Sequence, residues 1–348
     1  MPTTDPHPTP TYSEIARIAK VSTMTVCNVM RGRECVRPEK RAQVFEALRS
    51  LGVPAMVVRQ TAQAGNRRRR SKSFLLLEAG FQKGALSSPV YADIVRGIDQ
   101  RCAEHGWNLQ VRYAQNDEEV TEAARVFTGS GVLLFGPSAD FTPFRQSDPG
   151  LQAVRLLGSD IGHEEIDRVG CDDEQVGRLA SEWLAEQGCQ RPVFIGSTSR
   201  TRSKAFTDHC QNIGLDSRTL VSDGLFRTHQ QAQVIDAKVL LALWKEAEDF
   251  GADGVFAFSD QLGAALYSLL YRLGRLPGVQ MPVISCNRED PFLAMLHPRP
   301  ASIDIHAREI GAAAVDLLIW RLENPDATPK RTLLSPSLIE GEEVAETA

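Results

Sequence analysis

The chain has 348 residues, a net charge of −5 at pH 7, seven cysteines and seven histidines. The cysteines form no Cys-x-x-Cys pair and the histidines show no metal-binding spacing, so we expect no disulfide framework, metal site or other cofactor. No apolar run is long enough for a signal peptide or a membrane span, which favours a cytoplasmic protein without membrane association.

The net charge hides a strong asymmetry along the chain. Residues 1–72 carry fourteen Lys and Arg against five Asp and Glu, a net charge of +9, whereas the remainder carries −14. The phosphate backbone of a nucleic acid attracts a basic module and repels an acidic body. The charge distribution therefore predicts an amino-terminal module that binds nucleic acid. The proline-rich residues 1–10 ahead of it are expected to be disordered.

The basic module begins with the pattern of three short helices. Thr11 and Glu14 form a capping box at the start of the first helix, and Ser22 is placed to cap the second. The third begins at Pro38, a residue suited to the first helical position. Two short helices joined by a tight turn are typical of a helix-turn-helix, whose second helix enters the major groove of DNA. A solvated three-helix domain that binds protein is the alternative interpretation.

The second helix has one apolar face and one free face. Val26 and Val29 recur at helical spacing, so the opposite face has no hydrophobic reason for burial. Side chains on such a face contact base edges, while small hydroxyl residues hold phosphates. The free face carries Thr23, Met24, Cys27 and Asn28.

A basic linker follows the three helices. It contains Arg67, Arg68, Arg69 and Arg70. Each of these arginines is interpreted either as a phosphate contact or as part of a solvated, disordered segment.

From residue 73 onward, short apolar runs alternate with amphipathic helices. Runs such as 74–77 and 131–135 flank a helical pattern over 91–105. This alternation predicts parallel sheets covered by helices on both faces. About 275 residues exceed a typical single domain, so we expect two α/β lobes around a cleft.

Polar stretches follow three of the predicted strands, at residues 197–202, 259–260 and 287–288. Ligands of open α/β sheets bind at the carboxyl ends of the strands, so these stretches are expected to meet around a small molecule. A guanidinium binds vicinal hydroxyls or a carboxylate, and Asn or Asp accepts from hydroxyls. The combination suits a sugar or a sugar acid.

The segment from Thr11 to Cys27 resembles the amino terminus of the LacI/GalR repressors, which reads roughly Thr-hydrophobic-x-x-Val-Ala-x-x-Ala-Gly-Val-Ser-x-x-Thr-Val-Ser. The resemblance continues over almost the whole chain in the order that the family shows. It implies a helix-turn-helix domain with hinge over 11–60, a basic linker over 61–72, a periplasmic-binding-protein-like core over 73–340 and an acidic tail over 341–348.

In this family the core consists of two lobes joined by three crossovers. The resemblance would place these crossovers near residues 158–162, 286–290 and 320–325. Lobe 1 would then take 73–160 and 289–322, including a strand that begins at Ala301. Lobe 2 would take 161–288 and 323–340.

The resemblance also implies which residues contact DNA. Thr23, Met24 and Asn28 correspond to base contacts; Met24 can offer only apolar contact, for example with a thymine methyl, whereas Asn28 can pair with adenine. Ser22, Thr25, Cys27 and Arg31 correspond to contacts with the sugar-phosphate backbone, and Tyr12 and Arg59 complete the expected DNA-binding set.

Two departures from the family affect this module. Lys20 replaces the usual turn glycine, so a left-handed backbone there would carry a strain of roughly 1 to 2 kcal/mol. Thr61 or Ala62 stands where relatives wedge a leucine into the minor groove, so the operator is expected to be bent less.

By the same resemblance the effector is contacted by Tyr91, Arg202, Ser259, Asp260 and Asn287. Relatives usually have an aspartate where this chain has Asn287, so the pocket is less negative and accepts an anion more readily; similarity to the gluconate-repressor branch agrees. For Arg202 the alternative is a surface arginine, and for Asp260 it is a helix cap. Asp172 and Asp173 are interpreted as the structural start of a helix.

The resulting prediction is a DNA-binding transcriptional repressor, not an enzyme. We expect a homodimer on a near-palindromic operator, because one helix-turn-helix reads only a half-site. The effector would be a sugar or a sugar acid such as gluconate. The alternative is a cytoplasmic sugar-acting enzyme or sugar-binding protein with a protein-interaction helical head; a nucleophile–base pair in the pocket loops would favour it, and the sequence offers none.

Overall fold

The computed structural model describes residues 11–30, 36–51, 70–80, 88–158, 166–197, 200–229 and 232–342. The chain divides into two compact units, Met1–Ser71 and Lys72–Ala348.

The amino-terminal unit contains three helices, α1 (Tyr12–Ala19), α2 (Thr23–Met30) and α3 (Pro38–Ser50), as predicted. Thr11 and Glu14 form the expected capping box on α1. The helices share one apolar core because their buried residues recur at helical spacing. The core consists of Ile15, Ala16, Ala19, Val26, Val29, Val44, Ala47 and Leu48.

The second unit is built on two six-stranded sheets and confirms the predicted α/β fold. The first sheet contains, in spatial order, β13 (Arg331–Leu334), β5 (Asp167–Cys171), β4 (Gln152–Leu156), β3 (Gly131–Phe135), β1 (Ser73–Ala79) and β2 (Asn108–Ala114). All of its strand pairs are parallel. The interior strand β1 is buried along its whole length, as expected of a parallel strand covered on both faces.

The second sheet has the order β14 (Ser337–Ile339), β12 (Ala301–Asp304), β11 (Val283–Cys286), β10 (Gly254–Ala257), β6 (Pro192–Gly196) and β7 (Arg218–Val221). Only β14 runs antiparallel to its neighbour. A separate hairpin joins β8 (Phe226–His229) and β9 (Ala232–Ile235).

Helices cover both sheets, and each sheet with its helices forms a lobe. Lobe 1 carries α4 (Pro89–Glu104), α5 (Asp117–Val126), α6 (Thr142–Ser147) and α12 (Ala307–Glu323). Lobe 2 carries α7 (Asp173–Glu186), α8 (Arg200–Asn212), α9 (Ala237–Phe250), α10 (Asp260–Arg272) and α11 (Asp290–Leu293). Helices α4 and α12 approach closely because Gly97 has no side chain at their contact. A Cβ at this position would lie only 1.9 Å from the carbonyl oxygen of Arg308.

The predicted lobe boundaries and crossovers are wrong. Strand β5 pairs with β4 and β13, so it belongs to lobe 1, and β12 pairs with β11, so it belongs to lobe 2. The chain therefore passes between the lobes after Cys171, after Asp304 and after Leu334. An apolar run indicates a strand, but backbone hydrogen bonding to distant segments decides which sheet the strand joins.

Candidate functional site

The turn before α2 fixes how this helix is presented. Lys20 ends α1 in the left-handed conformation, with φ of +53°, as expected where relatives have glycine. The Thr25 amide donates to Ser22 Oγ at 3.1 Å, and the Ser22 and Thr25 hydroxyls lie 2.8 Å apart. Ser22 therefore caps α2, as predicted. Val26 and Val29 bury the opposite face.

The free face of α2 lies on the surface of its unit. Met24 is 65% exposed and Tyr12 on α1 is 44% exposed. Thr23 is exposed as well, whereas Thr25, Cys27 and Asn28 are half-buried. The side chains of this face are accessible to a partner. Several residues of the sequence prediction lie outside the described residues: Arg31, Arg59, Thr61, Ala62, Arg67, Arg68 and Arg69.

A cavity of about 350 Å³ lies between the two lobes of the second unit. On the lobe 1 side, the rings of Tyr91 and Phe135 stack with centroids 5.6 Å apart. On the lobe 2 side, Phe226 and Phe258 meet edge to face at 6.2 Å. The buried hydroxyl of Tyr91 has no hydrogen-bond partner among the described residues. The cavity therefore offers apolar ring faces from both lobes to a ligand.

Arg202 is the main charged group of the lobe 2 wall. It is 7% exposed. Its Nε and Nη2 lie 3.0 and 2.9 Å from Asp173 Oδ1, and its Nη1 lies 2.9 Å from the carbonyl oxygen of Phe258. Described residues thus engage three of its five N–H groups and hold the guanidinium in place, which leaves two for a ligand. Arg202 is a cavity residue rather than a surface arginine.

Two further predicted residues, Ser259 and Asn287, also line the cavity. Ser259 caps α10, since its Oγ accepts from the Leu262 amide at 3.4 Å. Asn287 has a φ of +106° and donates from Nδ2 to Glu289 Oε2 at 3.4 Å.

Asp260 was predicted either to contact the effector or to cap a helix, and both predictions are wrong. Asp260 is 0% exposed and does not line the cavity. Its carboxylate accepts from the hydroxyls of Ser285 and Ser302 and from the Glu289 amide, and the cap of α10 is Ser259 instead. Burial raises the pKa of Asp260 to about 7. Its role is to hold the loop after β11.

Asp172 and Asp173 both stand at the start of α7, as interpreted from the sequence, but Asp173 has a second position, at the cavity. Asp172 Oδ1 accepts from the amides of Glu174 and Gln175 and caps α7. Asp173 lines the cavity and forms the ion pair with Arg202.

Comparisons with known proteins agree with this arrangement. Residues 11–53 match the family model of bacterial regulatory proteins of the lacI family, and residues 181–342 match a periplasmic binding protein-like domain. The regulator CelR of Thermobifida fusca is 26% identical over 95% of this chain and 97% of its own length. The ribose operon repressor of Escherichia coli K12 is 23% identical over 95% of this chain and 98% of its own.

The chain thus combines a lacI-family helix-turn-helix domain with a periplasmic-binding-protein-like domain. Its relatives are transcriptional regulators rather than enzymes. A solved structure of a CelR–cellobiose complex has the same fold, with a TM-score of 0.66, 22% identity and coverage of 96% of this chain and 99% of that one. A lac repressor dimer bound to operator and the anti-inducer ONPF gives a TM-score of 0.63 at 19% identity, covering 95% of this chain and 98% of that one.

The sequence prediction for the cavity missed several lining residues. They are Ser88, Arg168, Asp173, Gln233, Gln261, Glu289 and Arg331. Arg168 and Arg331 are neighbours in the register of β5 and β13, a pairing that appears only once the sheet is assembled. Asp173 follows the helix cap Asp172, and Gln261 lies two residues after the helix cap Ser259. This position at the start of a helix was the sequence signal that could have identified them.

In the second unit, the described residues other than glycine that have a left-handed backbone lie at or next to the cavity or in a crossover between the lobes. Leu157, Asn287, Arg288 and His306 have φ of +54°, +106°, +55° and +56°. Leu157 and Asn287 line the cavity, and His306 lies in the second crossover. Residues other than glycine adopt this region only where the surrounding structure enforces it.

No helix in the described part of the chain is long and apolar enough to cross a membrane. The described residues also contain no group of three or more His, Cys, Asp and Glu side chains that could hold a metal ion.

Proposed function

We propose that this lacI-family regulator is a repressor that binds a near-palindromic operator as a homodimer and responds to a small sugar or sugar acid bound between its lobes. The observation that carries the proposal is one cavity in which aromatic faces from both lobes meet the two remaining N–H groups of Arg202. The names of the relatives support it, since the ribose operon repressor and the CelR–cellobiose complex concern sugars.

For the DNA side, helix α2 is the recognition element. Thr23, Met24 and Asn28 contact bases, and the exposure of Met24 supports apolar contact with a thymine methyl. Ser22 and Thr25 stand at the amino terminus of the helix, where backbone amides and hydroxyls hold phosphates. Cys27 and Arg31 add contacts with the sugar-phosphate backbone, and Tyr12 and Arg59 complete the DNA-binding set.

For the effector, the charge of the cavity favours an acid over a neutral sugar. The described lining includes three arginines, Arg168, Arg202 and Arg331, against two carboxylates, Asp173 and Glu289. A sugar acid of the gluconate type would place its carboxylate against Arg202 and its hydroxyls against Asn287 and Gln261.

The effector would act by shifting the population of lobe arrangements. In the described part of the chain the backbone passes between the lobes at three short crossovers, so a ligand that contacts both walls favours one relative position of the lobes over another. In a dimer this position sets the spacing of the two DNA-binding units and hence the affinity for the operator.

The test is fluorescence anisotropy of the full-length protein on labelled DNA from upstream of its own gene, with a scrambled duplex for comparison. A panel of sugars and sugar acids is then added. We expect preference for the native sequence, a change in affinity with one sugar acid, and loss of that change in Arg202→Ala. Arg272→Ala, which alters an exposed arginine at the end of α10, is the matched control and should respond normally.

Equal binding to both duplexes at all salt concentrations would contradict the repressor proposal. A response to neutral sugars alone would contradict the assignment of an acid.

A further inference from the structure

The loop after β11 is held in an unusual conformation by buried groups of lobe 2. Asn287 and Arg288 both have left-handed φ, of +106° and +55°. The Arg288 amide donates to Ser302 Oγ at 3.2 Å, and Arg288 Nη1 lies 2.9 Å from Asp304 Oδ2. The amide of the next residue, Glu289, donates to buried Asp260. The loop is therefore fixed, and so is the direction in which it sends the Glu289 side chain.

The Glu289 carboxylate leaves lobe 2 and contacts lobe 1. Its Oε1 accepts from Ser88 Oγ at 2.9 Å and from the Val90 amide at 3.5 Å. Ser88 and Val90 form the amino terminus of α4, a helix of sixteen residues in lobe 1. Glu289 is 4% exposed. These bonds join parts of the chain about two hundred residues apart, since their partners are separated by 201 and 199 positions.

The contact suits the needs of both partners. The first amides of a helix have no acceptor within the helix, and Ser88 makes no side-chain cap of its own on α4. A carboxylate at this end also interacts favourably with the helix dipole. Glu289 thus supplies from lobe 2 the cap that α4 lacks in lobe 1.

The same carboxylate lines the effector cavity. Its second oxygen, Oε2, accepts a long bond of 3.4 Å from Asn287, and the backbone amide of Gln261 also donates to the carboxylate. Because the carboxylate lines the cavity and has several acceptor positions, a ligand hydroxyl can reach the group that also connects the lobes.

We propose that Glu289 is a positioning residue that fastens lobe 2 to the amino terminus of α4 and couples occupancy of the cavity to the arrangement of the lobes. The regulatory part of this inference rests on the proposed function. The fastening itself does not, and it is tested without DNA or effector.

The experiment is hydrogen–deuterium exchange of the full-length protein, followed at the Val90 amide by mass spectrometry. Pro89 has no amide hydrogen and the first helical amides lack helical acceptors, so protection at Val90 reports the contact with Glu289. We expect Glu289→Ala to speed exchange there at least tenfold. Exchange in the centre of β1 and β10 should change less than twofold.

A double-mutant cycle of Glu289 with its lobe 1 partner Ser88 separates the loss of this contact from a general loss of packing. Ser88→Ala should speed Val90 exchange by a smaller factor, and the double variant should exchange no faster than Glu289→Ala alone, because both changes act on one contact. Glu118→Ala alters an exposed glutamate in the first turn of α5 and should leave Val90 unaffected.

Unchanged Val90 exchange in Glu289→Ala would overturn the proposal, as would equal acceleration throughout both lobes. If Glu289→Ala does not fold, Glu289→Gln provides the second variant. It keeps the side-chain length but loses the charge and turns an amide group toward Asn287, so we expect Val90 exchange at least threefold faster. The absence of any change in that variant would equally overturn the proposal.

Discussion

Burial of Glu78 in the first lobe makes the stability of this protein depend on pH in a direction opposite to that of most carboxylates. Glu78 lies on β1 and is 3% exposed, and neither of its carboxylate oxygens has a hydrogen-bond partner among the described residues. Burial raises its pKa from 4.5 to about 8. The ionised form is thus disfavoured in the folded state, and the group stays protonated at neutral pH.

The magnitude follows from the two pKa values. Below pH 4.5 the group is neutral in both states and costs nothing, and between pH 4.5 and 8 the unfolded chain gains stability by ionising while the folded chain does not. One pH unit corresponds to about 1.4 kcal/mol, so at pH 7 the cost to folding is roughly 3 kcal/mol, against less than about 1 kcal/mol at pH 5. Above the folded pKa the cost reaches its full value and stays constant.

The perturbation is Glu78→Gln, which keeps the shape of the protonated side chain but does not ionise. We expect the difference in free energy of unfolding between Glu78→Gln and the wild type to be larger at pH 7 than at pH 5, in favour of the variant, by roughly 2 to 3 kcal/mol. Urea titrations followed by circular dichroism across this range measure the difference, with the exposed Glu118→Gln as control. Parallel pH profiles for Glu78→Gln and the wild type would refute the reasoning.

Two further predictions concern the lobe 1 core and the recognition helix. Arg321 donates to the Asp167 carboxylate from Nε at 2.6 Å and from Nη2 at 2.7 Å, and both side chains are buried. Arg321→Ala leaves this buried carboxylate without its ion-pair partner and should lower the free energy of unfolding by about 3 to 5 kcal/mol. A loss of less than about 1 kcal/mol in urea denaturation would contradict this role. Met24→Ala should reduce the preference for operator over scrambled DNA about tenfold without changing the salt dependence of binding, since Met24 carries no charge. An altered salt dependence in the anisotropy titration would contradict a purely apolar contact of Met24 with a base.

Local signals in the sequence were sufficient for the amino-terminal unit. The capping box of Thr11 and Glu14, the cap at Ser22 and the spacing of Val26 and Val29 each act within one or two helical turns, and all of them reappear in the structure. The apolar runs of the core likewise became strands.

The assignment of strands to lobes failed because it depends on partners far along the chain. Strand β5 joins lobe 1 through hydrogen bonds to β4 and to β13, which lies more than 150 residues later. The run at Ala301–Asp304 likewise pairs with β11 in lobe 2, and its sequence does not distinguish the two sheets.

In the candidate site, too, some residues could be predicted from the sequence, whereas others depend on partners far along the chain. Tyr91, Arg202, Ser259 and Asn287 follow from family resemblance and line the cavity. Asp260 was misassigned because Ser285 and Ser302, which engage its carboxylate, come from two other strands. Glu289 was missed because its partners, Ser88 and Val90, lie in the other lobe.

The measurement that tests the central claim most directly is the mutual effect of operator and effector. The affinity of the full-length protein for operator DNA is measured with and without a saturating concentration of the sugar or sugar acid that the panel identifies. The affinity for that ligand is then measured with and without operator. If occupancy of the cleft and DNA binding are coupled as proposed, the two ratios are equal and differ from one, and both approach one in Arg202→Ala. Ratios of one in the wild type would contradict the account.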